Sequence, residues 1–152
     1  MEILSPNTKT VSIRVPGDPV GKGRPRFVRG SGRTYTPEKT ANYENLVRLT
    51  FTQKYPDFVP IDSEMIIFVR AYFRIPESWS KKKKEEALKG KVPKTTKPDL
   101  DNIIKSVSDG LNGTAWTDDA KLTSIIASKY YGSVPFVEVT IYYSEEEGDE
   151  GQ

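Results

Sequence analysis

The sequence predicts a single α/β (α+β) domain, with a mixed sheet of about four strands flanked by helices. Three observations predict it: a length of 152 residues, an alternation of segments in the order β-α-β-α-α-β-β, and one apolar stripe of helical period in the second half. At this length a chain buries roughly 68–70% of its extended surface, enough for a core without disulfides as staples.

Residues 10–15 (TVSIRV) alternate apolar and polar side chains and read as the first strand. Residues 16–35 (PGDPVGKGRPRFVRGSGRTY) are too rich in Gly and Pro for a helix or a long strand and read as an extended basic loop. Thr36 and Pro37 then open a helix, Thr36 as its N-cap and Pro37 at the first helical position. Tyr43, Leu46, Val47, Thr50 and Phe51 share one face of it, through about Lys54. Residues 56–62 turn, and residues 64–73 (EMIIFVRAYF) form a strand by their β-branched and aromatic content. Residues 78–90 (SWSKKKKEEALKG) make a short charged helix with a serine cap and Gly90 as its stop, followed by an irregular basic linker at 91–98. Leu100, Ile103, Ile104, Val107 and Leu111 recur at i, i+3, i+4, i+7 and i+11, the clearest helix signal in the chain, and Asn112-Gly113 ends it. After a turn at 115–120 (AWTDDA) come strands at 122–131 and 136–143, with 132–135 read as a hairpin connection between them. Residues 144–152 (SEEEGDEGQ) are expected to be a disordered acidic tail outside the domain of residues 1–143.

The chain has no cysteine and no histidine. This excludes disulfides, thiol nucleophiles, Ser–His–Asp and Cys–His catalysis, histidine general bases and Cys/His zinc sites. Catalysis would have to rest on carboxylates, lysines, tyrosines, hydroxyls or a hard divalent cation held by carboxylate oxygens. The formal net charge of +2 is unevenly placed. The tail holds five acids, so residues 1–143 carry 23 basic and 16 acidic residues, a net of +7. A basic body points to a polyanionic partner. No stretch is long and apolar enough to cross a membrane, residues 1–12 lack the apolar core of a signal peptide, and mean hydropathy is −0.58, so the cytoplasm is the expected compartment.

Asp99 and Asp101 flank Leu100 at the entry to the clearest helix. In an extended entry, residues i and i+2 face the same side, so both carboxylates point one way while Leu100 points to the core. Two carboxylates that repel each other unless an ion sits between them make a magnesium site, with manganese as an alternative. The competing reading is structural, since Asp is a favoured N-cap and acids suit the positive end of a helix. Asp118 and Asp119 form a second acidic pair, in a turn that could bring Asp119 back toward Asp99 and Asp101; ordinary turn chemistry is the alternative. Lys105 lies one helical turn after Asp101, and Asp109 one turn further. That spacing suits an Asp–Lys–Asp ladder on a solvated face, or an ammonium beside a reacting phosphate. Lys22, Arg24, Arg26, Arg29 and Arg33 in the loop, with Lys97 before the acids, are candidate phosphate contacts. Acids inside a basic chain are what metal-dependent phosphodiester hydrolysis requires. The run of lysines at 81–84 reads as a solvated helix face.

KPDLDNIIKSVSDGLNG followed by AWTDDAKL resembles the signature of the RusA family of Holliday-junction resolvases, often phage- or prophage-encoded. GDPVGKGRPRF, YTPEKTANYE and PESWSKKKK resemble its longer, phage-type members, so the resemblance spans roughly residues 15–132. It implies a small homodimeric magnesium-dependent endonuclease of mixed α/β fold, without a small-molecule cofactor, that cuts four-way branched DNA by paired symmetrical nicks. By position it implies that Asp99, Asp101 and Asp119 are the essential acids and Lys105 the catalytic lysine. Lys121 stands where many relatives carry Gln, and the acidic tail lies outside the pattern. The rival readings are a DNA-binding module without chemistry, an interaction protein whose lysines only confer solubility, and a metal nuclease acting on flaps, forks or duplex.

Overall fold

The computed structural model of the chain describes residues 5–145. Its order is β1 (Thr8–Pro16), β2 (Arg26–Phe27), β3 (Thr34–Tyr35), α1 (Glu38–Lys54), β4 (Met65–Arg74), α2 (Lys81–Leu88), α3 (Leu100–Leu111), β5 (Leu122–Gly132) and β6 (Phe136–Ser144). The main sheet has four strands in the order β1-β6-β4-β5; β4 and β5 run parallel and the other pairs antiparallel. This is the mixed sheet with helices that the segment order predicts. A parallel pair needs a long crossover, and α2 and α3 supply it between β4 and β5.

The apolar stripe of α3 explains the layer above the sheet. Ile103, Val107 and Leu111 are fully buried and meet Val47 and Phe51 of α1 and the inward side chains of β1, β4 and β6. Burial of each such side chain stabilises the fold by about 1.5–3 kcal/mol. The two helices approach closely at Gly110, where a Cβ would lie 2.9 Å from the Glu44 carbonyl oxygen. The opposite face of the sheet carries a ladder of aromatics, with half-buried Tyr72 stacked on both half-buried Phe136 and exposed Tyr130.

Five local expectations are corrected. The link at 133–135 is not a hairpin, because β4 lies between β5 and β6 in the sheet. Crossing one strand means spanning two inter-strand spacings of about 4.8 Å, which a three-residue link can do when extended. Thr36 does not cap α1; Pro37 holds the N-cap position, and its carbonyl accepts from the Ala41 amide. The charged helix begins later than residue 78, with Ser80 as its cap, accepting from the Lys83 amide. The basic loop contains the small hairpin β2–β3. The disordered tail is expected from residue 144, but Ser144 still belongs to β6; the rest of that expectation, at 146–152, lies outside the described residues.

Candidate functional site

Asp99 occupies the N-cap position of α3 with an extended backbone, yet its side chain makes no capping hydrogen bond. Its carboxylate instead accepts from Lys97 Nζ at 3.0 Å, an exposed pair worth under about 1 kcal/mol. Asp101 is exposed in the first turn of α3 and has no hydrogen-bond or ion-pair partner among the described residues. The capping explanation therefore fails for Asp99, whose Oδ1 is left open beside the Lys97 pair, and the Asp101 carboxylate is wholly open to another ligand. Lys105 is exposed and likewise unpaired among the described residues, so the Asp–Lys–Asp ladder is not formed. Asp109 turns the other way and pairs with Lys22.

Asp119 is held differently. The Nε1–H of fully buried Trp116 donates to Asp119 Oδ1 at 2.7 Å, and Oδ2 has no partner among the described residues. Asp118 is a structural residue, capping a 3₁₀ turn (Asp119–Lys121) by accepting from the Ala120 amide. The 12 residues of α3 rise about 18 Å, and Asp99 and Trp116 lie beyond opposite ends of it. The strand that returns from Asp119 brings Lys129, not Asp119, to the start of α3: Lys129 Nζ donates to the carbonyls of Thr96 and Pro98. The expected return of Asp119 to the pair within one chain thus does not occur. Among the described residues no three acids stand close enough to hold one metal ion. The Asp99–Asp101 pair alone still suits magnesium, which is commonly held by one or two carboxylates together with substrate phosphates.

An open groove of about 670 Å³ lies at the start of α3 and joins Asp99 to the basic loop. Arg24, Arg26, Lys39, Lys97 and Asp99 line it. Cations and a carboxylate lining one groove can hold a phosphodiester backbone near a group able to ligate a hard cation. The family model described as Endodeoxyribonuclease RusA matches residues 16–142. The chain belongs to the RusA endodeoxyribonuclease family. The uncharacterized protein YqaN of Bacillus subtilis (strain 168) is 38% identical over 135 residues, covering 86% of this chain and 94% of that one.

In this RusA-family chain the first half of the basic loop is bolted down rather than flexible. The Lys22 amide donates to the Asn102 carbonyl at 2.8 Å, the Gly23 amide to Thr40 Oγ1 at 3.0 Å, and Ser106 Oγ to the Val20 carbonyl at 2.6 Å. Gly21 permits the approach, since a Cβ there would lie 3.0 Å from Pro98 Cβ. Lys22 itself is corrected as a phosphate contact. Its side chain is only 13% exposed and pairs with Glu44 of α1 and Asp109 of α3. Partial burial alone would lower the pKa of this ammonium, but hydrogen bonds and charges from Glu44 and Asp109 outweigh it and hold the pKa above the usual 10.5. Arg24, Arg26, Arg29 and Arg33 are exposed and have no ion-pair partner among the described residues.

Lys22→Met should therefore cost about 2–3 kcal/mol, because it strands two carboxylates, whereas Arg24→Met should cost under about 0.5 kcal/mol. Urea unfolding of both variants measures this. Since the Lys22 pKa is raised on folding, its contribution is complete below the unfolded value. It disappears as pH climbs past the folded value, so the deficit of Lys22→Met relative to wild type should close only in strong alkali.

Sequence reasoning missed Lys39, Trp116 and Lys129. Trp116 was within reach of the i, i+3 spacing to Asp119. Nothing local distinguishes Lys129, whose acceptors lie 33 and 31 residues away.

Proposed function

We propose that the chain is a magnesium-dependent, structure-selective endodeoxyribonuclease of the cytoplasm that resolves four-way Holliday junctions by paired symmetrical cuts. The observation that carries the reading is the groove in which unpaired arginines and Asp99 line one cavity beside unpartnered Asp101. Arg24, Arg26, Arg29, Arg33 and Lys97 would hold phosphates, Lys97 exchanging Asp99 for the DNA. Asp99 and Asp101 would hold the ion, which when bound polarises the scissile phosphate and activates the attacking water. Lys105, one turn along the exposed face of α3, would neutralise charge that builds on the phosphate.

Asp119 enters this site from a second protomer. The outer edge of β5 has no strand beside it among the described residues and exposes Ile125 and Ile126, neighbours on opposite faces of the strand. Exposed apolar edges of this kind pair with other chains. If two copies join there antiparallel about a two-fold axis, the start of one β5 lies beside the end of the other. That pairing would bring Asp119 of the partner subunit to the Lys129 end, toward Asp99. The resulting C2 dimer would present two equivalent sites to the two equivalent strands of a four-way junction.

The direct test incubates labelled four-way junction, fork and duplex with the protein, in magnesium and in EDTA. Paired nicks confined to the junction and to magnesium are expected. In the same assay Lys105→Ala should bind normally and lose about 10²–10³ in single-turnover rate. Equal cutting of all three DNAs would make the chain a different metal nuclease, and binding without cutting would make it a DNA-binding module.

A further inference from the structure

Phe27 is 78% exposed, in a hairpin whose charge is all of one sign. Residues 24–37 contain four arginines and no acid. The register of β2 and β3 sets Arg26 opposite Tyr35 and Phe27 opposite Thr34. Arg26 and Tyr35 therefore share one face of the arm and Phe27 stands on the other. Arg24 and Arg26 line the groove that holds Asp99, and the chain just before them is fixed through the Gly23–Thr40 hydrogen bond. The phenyl ring is thus carried one residue beyond the groove lining, on the face of the arm opposite Arg26, and stacks on no other ring among the described residues.

We propose that Phe27 is a stacking residue for a DNA base whose face is open, at a branch point or a single-stranded gap. The inference rests on the groove being the DNA site. An all-cationic arm selects a polyanion over an apolar protein surface. Within an intact duplex every base is already covered on both faces, and an aromatic ring beside it meets only sugar and phosphate. Where strands exchange, base faces open, and an aromatic ring gains stacking that does not depend on sequence. Phe27 would then contribute to structure selectivity, while the arginines bind all DNA forms through phosphates.

The experiment measures binding in EDTA by wild type, Phe27→Ala, Phe27→Leu and Phe27→Trp to four-way junction, open fork and plain duplex. Each branched DNA carries 2-aminopurine beside the branch. Phe27→Ala and Phe27→Leu should lose roughly five- to hundred-fold in affinity for junction and fork and nothing on duplex. Phe27→Trp should keep wild-type affinity. The stacking should change 2-aminopurine fluorescence with wild type and Phe27→Trp only. Equal losses on all three DNAs, or no loss at all, would overturn the proposal. So would a change of sedimentation state in Phe27→Ala, which would assign the ring to a contact between copies of the chain. Wild type that cuts junctions while the Phe27 variants match it refutes the stacking role alone. Wild type that binds none of the DNAs refutes both this role and the nuclease reading.

Discussion

Asp99→Asn, Asp101→Asn and Asp119→Asn are each expected to give a folded protein that binds four-way junctions and fails to cut them. Asparagine matches aspartate in size and in much of its hydrogen bonding, so the substitution separates charge from structure. At Asp99 no capping bond is lost, because none is made. At Asp101 the loss is confined to the favourable field at the helix start, about 0.3–1 kcal/mol. At Asp119 the amide oxygen of asparagine can still accept from Trp116 Nε1, so the link seen at 2.7 Å survives. Thermal unfolding should therefore shift little in all three. Activity should fall by about 10²–10³ or more, since a neutral amide is a poor ligand for a hard cation and leaves the phosphate charge uncompensated. Junction affinity in EDTA should hold or rise, because each substitution removes a negative charge near the phosphates. Single-turnover cleavage with gel-shift titration reads all of this. A variant that cuts at near wild-type rate removes its residue from the site, and three such variants would leave a DNA-binding module in place of a nuclease.

How far the sequence was legible follows the range of the interactions. The stripe from Leu100 to Leu111 and the β-branched run at 64–73 are local patterns, and both became the elements expected. The strands β5 and β6 were also legible as strands, but not as non-neighbours. A short link after a strand looks the same whether the next strand pairs with it or with the strand beyond, and only the position of β4 decides. Lys22 and Arg24 are two cations two residues apart in one loop. What separates them is Glu44 on α1 and Asp109 on α3, 22 and 87 positions away, which capture Lys22 and leave Arg24 free. The acids divide in the same way. Asp99 and Asp101 are joined by the local spacing around a helix start, whereas the placement of Asp119 depends on the direction in which α3 and β5 run.

That placement leads to a mixing experiment with an all-or-none outcome. Asp99→Asn and Asp119→Asn proteins, each inactive alone, should regain cleavage when their subunits are exchanged by co-expression. If each site takes Asp99 and Asp101 from one protomer and Asp119 from the other, a mixed dimer has one site lacking both residues and one intact. Random pairing makes about half of the dimers mixed, so about a quarter of wild-type sites should return. The product should differ from wild type as well as the rate. With one intact site per dimer, single nicks should accumulate in place of the paired cuts that resolve a junction. Mixing Asp99→Asn with Asp101→Asn is the control, because those residues leave α3 at the same end and every mixed dimer then lacks one of them in each site. Should the Asp99→Asn and Asp119→Asn mixture stay inactive while tagged subunits demonstrably exchange, the shared site is wrong. Asp119 would then have to reach Asp99 within its own chain, which requires the segment after α3 to leave the position that Trp116 now fixes.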